Sequence, residues 1–336
     1  MLFRSKAPLR IGLAGGGTDV SPYSDEFGGV ILNATLSLYA HTTIETLTES
    51  VVIIESIDKQ ETETHTLHNQ LPINGTLDLV KGVYNRLQND YHFPLQGLRI
   101  ITKVDAPAGS GLGTSSTLVV SIIGAFKEML QLKMSEYEIA HYAYEIERND
   151  LGLAGGKQDQ YAAAFGGLNF FNFSTSGRVN IEPLYLPNVD SGRLLEKIVL
   201  VWTGETRKAN IILADQAARS SENFINLRKN VELAKKFKNG LLQPELNWET
   251  LGEMIRNGWE LKKTLSPQIL NEKIHSITSC LDNLDCLGYK LLGAGGGGFV
   301  LALMNSVTPD NLNSLNKWNI LRPNLDHMGA RVVSLK

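Results

Sequence analysis

Over Leu9–Ala14, Val30–Leu47, Val51–Ile57, Arg99–Val104 and Leu168–Phe173, apolar residues alternate with polar ones or run in short blocks, the pattern of half-buried and buried strands. Elsewhere the spacing turns helical: between Leu77 and Asn89, after Gly113, where Leu118, Ile122, Phe126 and Met129/Leu130 recur on one face, and from Glu136 to about Arg148. Ser135-Glu-Tyr-Glu138 forms a capping box at the start of that last helix. The second half opens on the apolar strand Lys197–Trp202, passes through three helical stretches and ends on a strand over Ala330–Leu335. A polar, proline-containing interval from Pro183 to Gly192 divides the halves, giving expected domains of 1–187 and 188–336.

Three glycine clusters punctuate these elements. In Ala106-Pro-Ala-Gly-Ser-Gly-Leu-Gly-Thr-Ser-Ser116 the glycines join a strand to a helix start. Gly109, Gly111 and Gly113 let backbone approach a phosphate, the first helical N–H groups point at it, and Thr114, Ser115 and Ser116 can cap the helix or reach a phosphate oxygen. No Gly-Lys-Ser/Thr ends the loop, so it is not a Walker A sequence, and Thr114 breaks Gly-x-Gly-x-x-Gly. A plain glycine turn is the competing reading. The second cluster, Ala7-Pro-Leu-Arg-Ile-Gly-Leu-Ala-Gly-Gly-Gly-Thr-Asp19, runs a strand carrying Arg10 into three glycines and a carboxylate suited to sugar hydroxyls. In the third, Leu291-Leu-Gly-Ala-Gly-Gly-Gly-Gly-Phe-Val-Leu-Ala-Leu303, Gly293, Gly295 and Gly298 match the dinucleotide fingerprint, but a strand follows instead of a helix. Glycines between two strands suit a hairpin whose backbone packs on another loop or on a ligand.

Composition narrows the classes. At 336 residues and 43% hydrophobic, the chain fills two lobes, and its net charge of -3 with scattered Lys and Arg argues against nucleic acid. Pro8, Arg10 and glycines interrupt the short N-terminal apolar run, and no long apolar span occurs, so a cytoplasmic protein with no membrane partner is expected. Cys280 and Cys286, six apart on what reads as one helix, fit neither a disulfide scaffold nor a zinc site and are expected as reduced core residues. His65 and His68 lie in a polar stretch that reads as extended, the other histidines are dispersed, and the tryptophans are expected in packing.

Together the three clusters, in this order, resemble the GHMP kinase superfamily from Arg4 to about Val333, with Thr114 in a place often held by serine. The N-terminal Ala-Pro-Leu-Arg-Ile…Gly-Gly-Gly-Thr-Asp form, with Trp202-Thr-Gly-Glu-Thr-Arg-Lys-Ala-Asn, looks like the D-glycero-D-manno-heptose 7-phosphate kinases within it. The resemblance implies an α+β fold: an N-terminal lobe like the second domain of ribosomal protein S5, a ferredoxin-like C-terminal lobe, and ATP and substrate between them. It implies an ATP- and Mg2+-dependent kinase whose partner is a small sugar phosphate, phosphorylated at the anomeric hydroxyl. Pro107, Gly109, Ser110, Gly111, Leu112, Gly113, Thr114, Ser115 and Ser116 would then bind ATP.

Site roles follow the same likeness. Tyr144-Glu-Ile-Glu-Arg-Asn-Asp-Leu-Gly-Leu-Ala-Gly-Gly-Lys-Gln-Asp-Gln160 is similar to the segment whose helical Glu binds Mg2+ and whose Asp after the loop acts as base, placing those roles on Glu147 and Asp159. Glu147 can instead be a solvated helix charge, and Asp159 a first-turn carboxylate favoured by the helix dipole. Ser115 is the counterpart of the superfamily's metal-binding hydroxyl, or else only a helix cap, and Arg10 stands where galactokinases carry a catalytic arginine, the competing reading being a strand arginine paired with an acidic side chain. Gly16, Gly17, Thr18, Asp19, Gly295 and Gly296 are expected around the sugar, with Arg207 and Lys208 on its phosphate. The competing readings are a fucokinase-like sugar 1-kinase, a diphosphate decarboxylase on the same fold and a non-catalytic sugar sensor.

Overall fold

A computed structural model describes residues 1–186, 191–206 and 209–333. The N-terminal half supplies β1 (Leu2–Ala14), β2 (Gly29–Leu47), β3 (Val51–Ser56), β4 (Glu61–Thr66), β5 (Gly97–Val104), β6 (Leu168–Phe173) and β7 (Val179–Pro183), with helices α1 (Tyr23–Phe27), α2 (Asp78–Tyr91), α3 (Thr114–Leu130), α4 (Glu136–Glu145) and α5 (Gln158–Phe165). The C-terminal half supplies β8 (Ile198–Trp202), β9 (Cys286–Leu291), β10 (Phe299–Met304), β11 (Ile320–Leu321) and β12 (Arg331–Val332), with α6 (Ser191–Glu196), α7 (Ala209–Ala218), α8 (Ser220–Leu241), α9 (Trp248–Lys263), α10 (Glu272–Asp282) and α11 (Pro309–Ser314). The expected boundary at 187/188 and the pair Arg207 and Lys208 lie outside the described residues.

The first sheet runs β12-β1-β2-β5-β3-β4. The long β2 pairs with β6 over Gly29–Ala34 and with β5 over Ala40–Leu47, so one strand serves two neighbours in succession. Its pairing with β1 shifts register between Pro8 and Arg10 and again between Gly12 and Ala14. Such irregularities re-aim side chains. Here the Arg10 N–H leaves the ladder and bonds Leu112 O at 3.0 Å, tying β1 to the glycine loop before α3.

In the second sheet the order is β11-β8-β10-β9, fully antiparallel. Counted within the lobe, that is 4-1-3-2, with helices after its first and third strands: the ferredoxin-like arrangement. Ile198 and Leu200 of β8 join the main core, while Val199 and Val201 join a second core on the opposite face. This is why Lys197–Trp202 reads as an unbroken apolar run, since a strand covered on both faces needs no polar alternation. On one of those faces α9 lies against β9 with backbone touching backbone: a Cβ on Gly288 would sit 2.1 Å from Gly252 O.

Several expectations need correction. The helix from Glu136 leaves α geometry after Glu145 and widens into a π-helix over Ile146–Asp150. Cys280 lies on α10, but Cys286 opens β9, because Asn283 ends the helix; both thiols are free and only partly buried. The closing strand is confined to Arg331–Val332 within the described residues. Among those residues no helix is long and apolar enough to cross a membrane.

Candidate active site

The loop between β5 and α3 is built around left-handed glycines. Gly111 has φ +81°, and a Cβ there would lie 2.8 Å from the Leu292 carbonyl carbon. Facing it, a Cβ on Gly293 would lie 2.5 Å from Gly111 Cα, and Phe299 N donates to Ser110 O at 2.9 Å. The third glycine cluster is therefore a hairpin packed on the first, which joins the lobes across the site. Gly111 is required by this contact as well as by any approaching phosphate, so valine there would disturb the fold and would not be a clean probe of ATP binding.

At the N-terminus of α3, Gly113 occupies the capping position with φ +78° and no side chain caps the helix. Of the two readings open for Thr114, Ser115 and Ser116, capping the helix or reaching a ligand, the first does not occur. The first-turn N–H groups of this 17-residue helix remain directed at the cavity, an arrangement that receives anionic oxygens. Gly109, Gly111, Gly113, Thr114, Ser115 and Ser116 line a cleft of about 340 Å³. Pro107, Ser110 and Leu112 do not; Ser110 and Leu112 are fully buried in the loop's support.

Arg10 and Asp159 meet at the centre of the cleft. Arg10 Nε donates to Asp159 Oδ1 and Nη2 to Oδ2, each at 2.7 Å, while Nη1 donates to Gly111 O at 2.6 Å. The fork fixes the carboxylate against the glycine loop, where a Cβ on Gly113 would come within 3.1 Å of Asp159 Oδ2. Asp159 does sit in the first turn of α5, yet it faces the cavity and its partner is the strand arginine. Sequence alone left these two residues 149 positions apart.

Glu147 is carried inward by the π-helix, a widened turn often found at functional sites. Its carboxylate accepts from Ser116 Oγ at 3.0 Å and from Gln160 Nε2 at 2.5 Å, with Arg148 Nη1 at 3.7 Å. Burial pushes its pKa up, opposed by the Arg148 charge and these donors. Ser116, one residue beyond Ser115, donates to Glu147, while Ser115 lies exposed on the cleft wall. Among the described residues no three carboxylate, histidine or cysteine side chains cluster as a metal cage. One carboxylate with an adjacent hydroxyl, beside the unpaired Gln160 Oε1, nevertheless fits a Mg2+ ion that arrives on phosphates and keeps most of its other ligands.

Opposite lies Asp19, buried, accepting from Gln158 N at 3.1 Å. Burial raises its pKa and the nearby Asp159 charge adds to the shift, against the Gln158 hydrogen bond. Gly156 has no room for a side chain, since a Cβ would fall 1.9 Å from Asp19 Oδ2. Gly16, Gly17 and Gly295 also line the cleft. Thr18 does not: its hydroxyl is bonded within the turn to Gly15 O, Val30 O and Val30 N. Gly296 is likewise drawn off the wall, with its N–H on Ile269 O and its carbonyl on Asn271.

The polar lining or supporting side chains that were not foreseen include Arg148, Gln158, Gln160, Gln216, Asn230, Lys262 and Lys290. Lys290 did leave a trace, as a lone cation in the otherwise apolar run Leu287-Gly-Tyr-Lys-Leu-Leu292 that leads into the glycine hairpin.

Residues 78–167 match the family model for the GHMP kinases N terminal domain, and residues 234–313 match that for GHMP kinases C terminal. A D-glycero-alpha-D-manno-heptose 7-phosphate kinase from Campylobacter jejuni subsp. jejuni serotype O:2 is 38% identical over 92% of this chain and 91% of its own length. The chain belongs to the GHMP kinases. A crystal structure of a D-glycero-D-manno-heptose 1-phosphate kinase from Bacteroides thetaiotaomicron is similar at a TM-score of 0.85 and 36% identity, covering 100% of both chains. The bifunctional fucokinase/GDP-fucose pyrophosphorylase of Arabidopsis thaliana is 29% identical over 88% of this chain, but over only 29% of its own. The expected two-lobed GHMP kinase fold is thus the one observed.

Proposed function

We propose that this kinase transfers the terminal phosphoryl of ATP to the anomeric hydroxyl of a heptose phosphate, D-glycero-D-manno-heptose 7-phosphate in particular. The observation that carries the transfer itself is the Arg10–Asp159 fork held against Gly111 and Gly113. The choice of a phosphorylated heptose is supported by the names of the Campylobacter and Bacteroides relatives, but that of the 7-phosphate rests on the Campylobacter name alone, since the Bacteroides name specifies a heptose 1-phosphate, which has no free anomeric hydroxyl.

Asp159 accepts the hydrogen bond of the attacking hydroxyl and takes its proton as the new P–O bond forms and the bond from the terminal phosphorus to the bridging oxygen breaks, releasing ADP. Arg10 holds that carboxylate in place and offers fixed positive charge beside the transferring group. The uncapped start of α3 receives phosphate oxygens, and Asp19 with the Gly16–Gly17 backbone orients the sugar hydroxyls. Mg2+, held by Glu147 and Ser116, would neutralise phosphate charge when bound.

Charge-assisted hydrogen bonds to a phosphate are each worth about 1.5–3 kcal/mol. With Arg207 and Lys208 as the expected grip, kcat/KM for heptose 7-phosphate should exceed that for unphosphorylated heptose by on the order of 10²-fold or more. Steady-state ATP turnover with the two sugars checks this. Equal turnover would overturn the phosphorylated-acceptor reading and favour a sugar 1-kinase like the fucokinase half of the Arabidopsis relative.

A further inference from the structure

Two lysines stand on the C-terminal wall of the cleft, Lys262 near the end of α9 and Lys290 on β9. The close contact of Gly252 with Gly288 lays α9 on β9 and brings these two cations to the same cavity. Lys262 Nζ donates to the carbonyls of Leu291 and Gly293, and Lys290 Nζ to Leu13 O at 3.2 Å. An ammonium has three N–H donors, so Lys262 retains one and Lys290 two.

Among the described residues, the other cations that line the cleft are matched: Arg10 faces Asp159, and Arg148 lies 3.7 Å from Glu147. Among the described residues, neither lysine has a carboxylate partner within the 4.0 Å that defines an ion pair. Lys290 is buried, and Lys262 opens only partly, towards the cavity. Burial, then repulsion from Lys290 and Arg10, carries the Lys262 pKa well below the ordinary lysine value, and burial with the Arg10 charge brings that of Lys290 to about 8. An unmatched buried cation is costly, and a second beside it more so. A dianion placed between them removes that cost.

We propose that Lys262 and Lys290, together with Arg10, form a phosphate-binding site on the C-terminal wall, at the seam where Gly293 packs on Gly111. The inference rests on the kinase reading above and extends it to residues that carry no role there. Two molecules in the reaction bring a phosphate dianion: ATP, by its terminal phosphoryl, and the acceptor, by the phosphate it already carries. The chemistry recognised is the same for both.

The test uses the full chain with Lys290→Met, Lys262→Gln and the rescue variant Lys290→Arg, each confirmed as folded by circular dichroism and thermal unfolding. One arm measures binding of a non-hydrolysable ATP analogue against ADP, both with Mg2+. A second measures kcat/KM for heptose 7-phosphate against the free heptose. Each charge-removing variant should reduce one of these two preferences by about 10-fold or more, with Lys290→Arg recovering part of the loss. A reduced analogue-over-ADP preference assigns the site to the nucleotide; a reduced preference for the phosphorylated sugar assigns it to the acceptor. Removing the charge should leave the ligand-free protein at least as stable as before, because the burial cost goes with it.

Both preferences unchanged in folded variants would overturn the site. So would a marked loss of ligand-free stability in Lys290→Met and Lys262→Gln, which would show the lysines to be fasteners of backbone carbonyls. If the unmodified protein phosphorylates no sugar, the substrate reading fails by itself, and the ATP-analogue arm still reports on the lysines.

Discussion

Replacing Asp159 by asparagine is expected to lower kcat by roughly 10²-fold or more while changing ATP affinity little. The substitution keeps the shape of the side chain and one acceptor oxygen. It removes the charge that Arg10 grips through two hydrogen bonds, and it removes the proton acceptor. Arg10 keeps its bond to Gly111 O, so the glycine loop is not released by the change. Single-turnover kinetics with saturating ATP separates chemistry from binding, and thermal unfolding checks that the variant is intact. A folded Asp159→Asn protein with near-native kcat would sink the assignment of the base and leave positioning and electrostatics to account for catalysis.

For Glu147→Gln the expected result is different in kind: the Mg2+ concentration for half-maximal rate should rise by about 10-fold or more, since an ion on the phosphates loses its one carboxylate ligand. Stability should not suffer. Burial raises the pKa of Glu147, so the folded protein binds its proton more tightly than the unfolded chain does, and the ionised form destabilises the fold at neutral pH. A neutral glutamine removes that penalty, and Ser116 can still donate to its amide oxygen. Mg2+ titration of the initial rate, with a parallel melting curve at pH 7, tests both halves. An unchanged Mg2+ requirement would show that the ion is held elsewhere.

The parts of the site that sequence made legible are those written in contiguous residues. The glycine loop before α3, the strand-borne Arg10 and the carboxylate opening α5 each sit in a local pattern with a chemical reason. Their mutual placement was not legible, because it depends on the register shift that frees the Arg10 N–H and on the contact between Gly111 and Gly293. Ser116 rather than Ser115 reaches Glu147 through the combined rotation of α3 and the π-helix, a matter of one helical position that no spacing rule resolves. Lys262 and Lys290 become neighbours only when α9 settles on β9.

The fold shows the same division. Long strands with clear apolar patterning were readable, whereas β4, whose sequence Glu-Thr-Glu-Thr-His-Thr is polar throughout, read only as extended, and its place as a sheet edge is seen from its pairing with β3. His65 on that edge pairs with Glu63 at 3.1 Å. The helix over Glu136–Glu145 was announced by its capping box, and the structure forms both reciprocal hydrogen bonds of that box. Its end was not announced, since a π-turn has no residue signature comparable to a capping serine or a closing glycine.

The most direct test of the central claim is phosphorus NMR of the product formed from ATP, Mg2+ and D-glycero-D-manno-heptose 7-phosphate. The account predicts one new phosphate resonance, coupled to the anomeric proton, beside the retained 7-phosphate signal. A product phosphorylated at any other hydroxyl, or ATP hydrolysed with the sugar unchanged, would contradict it.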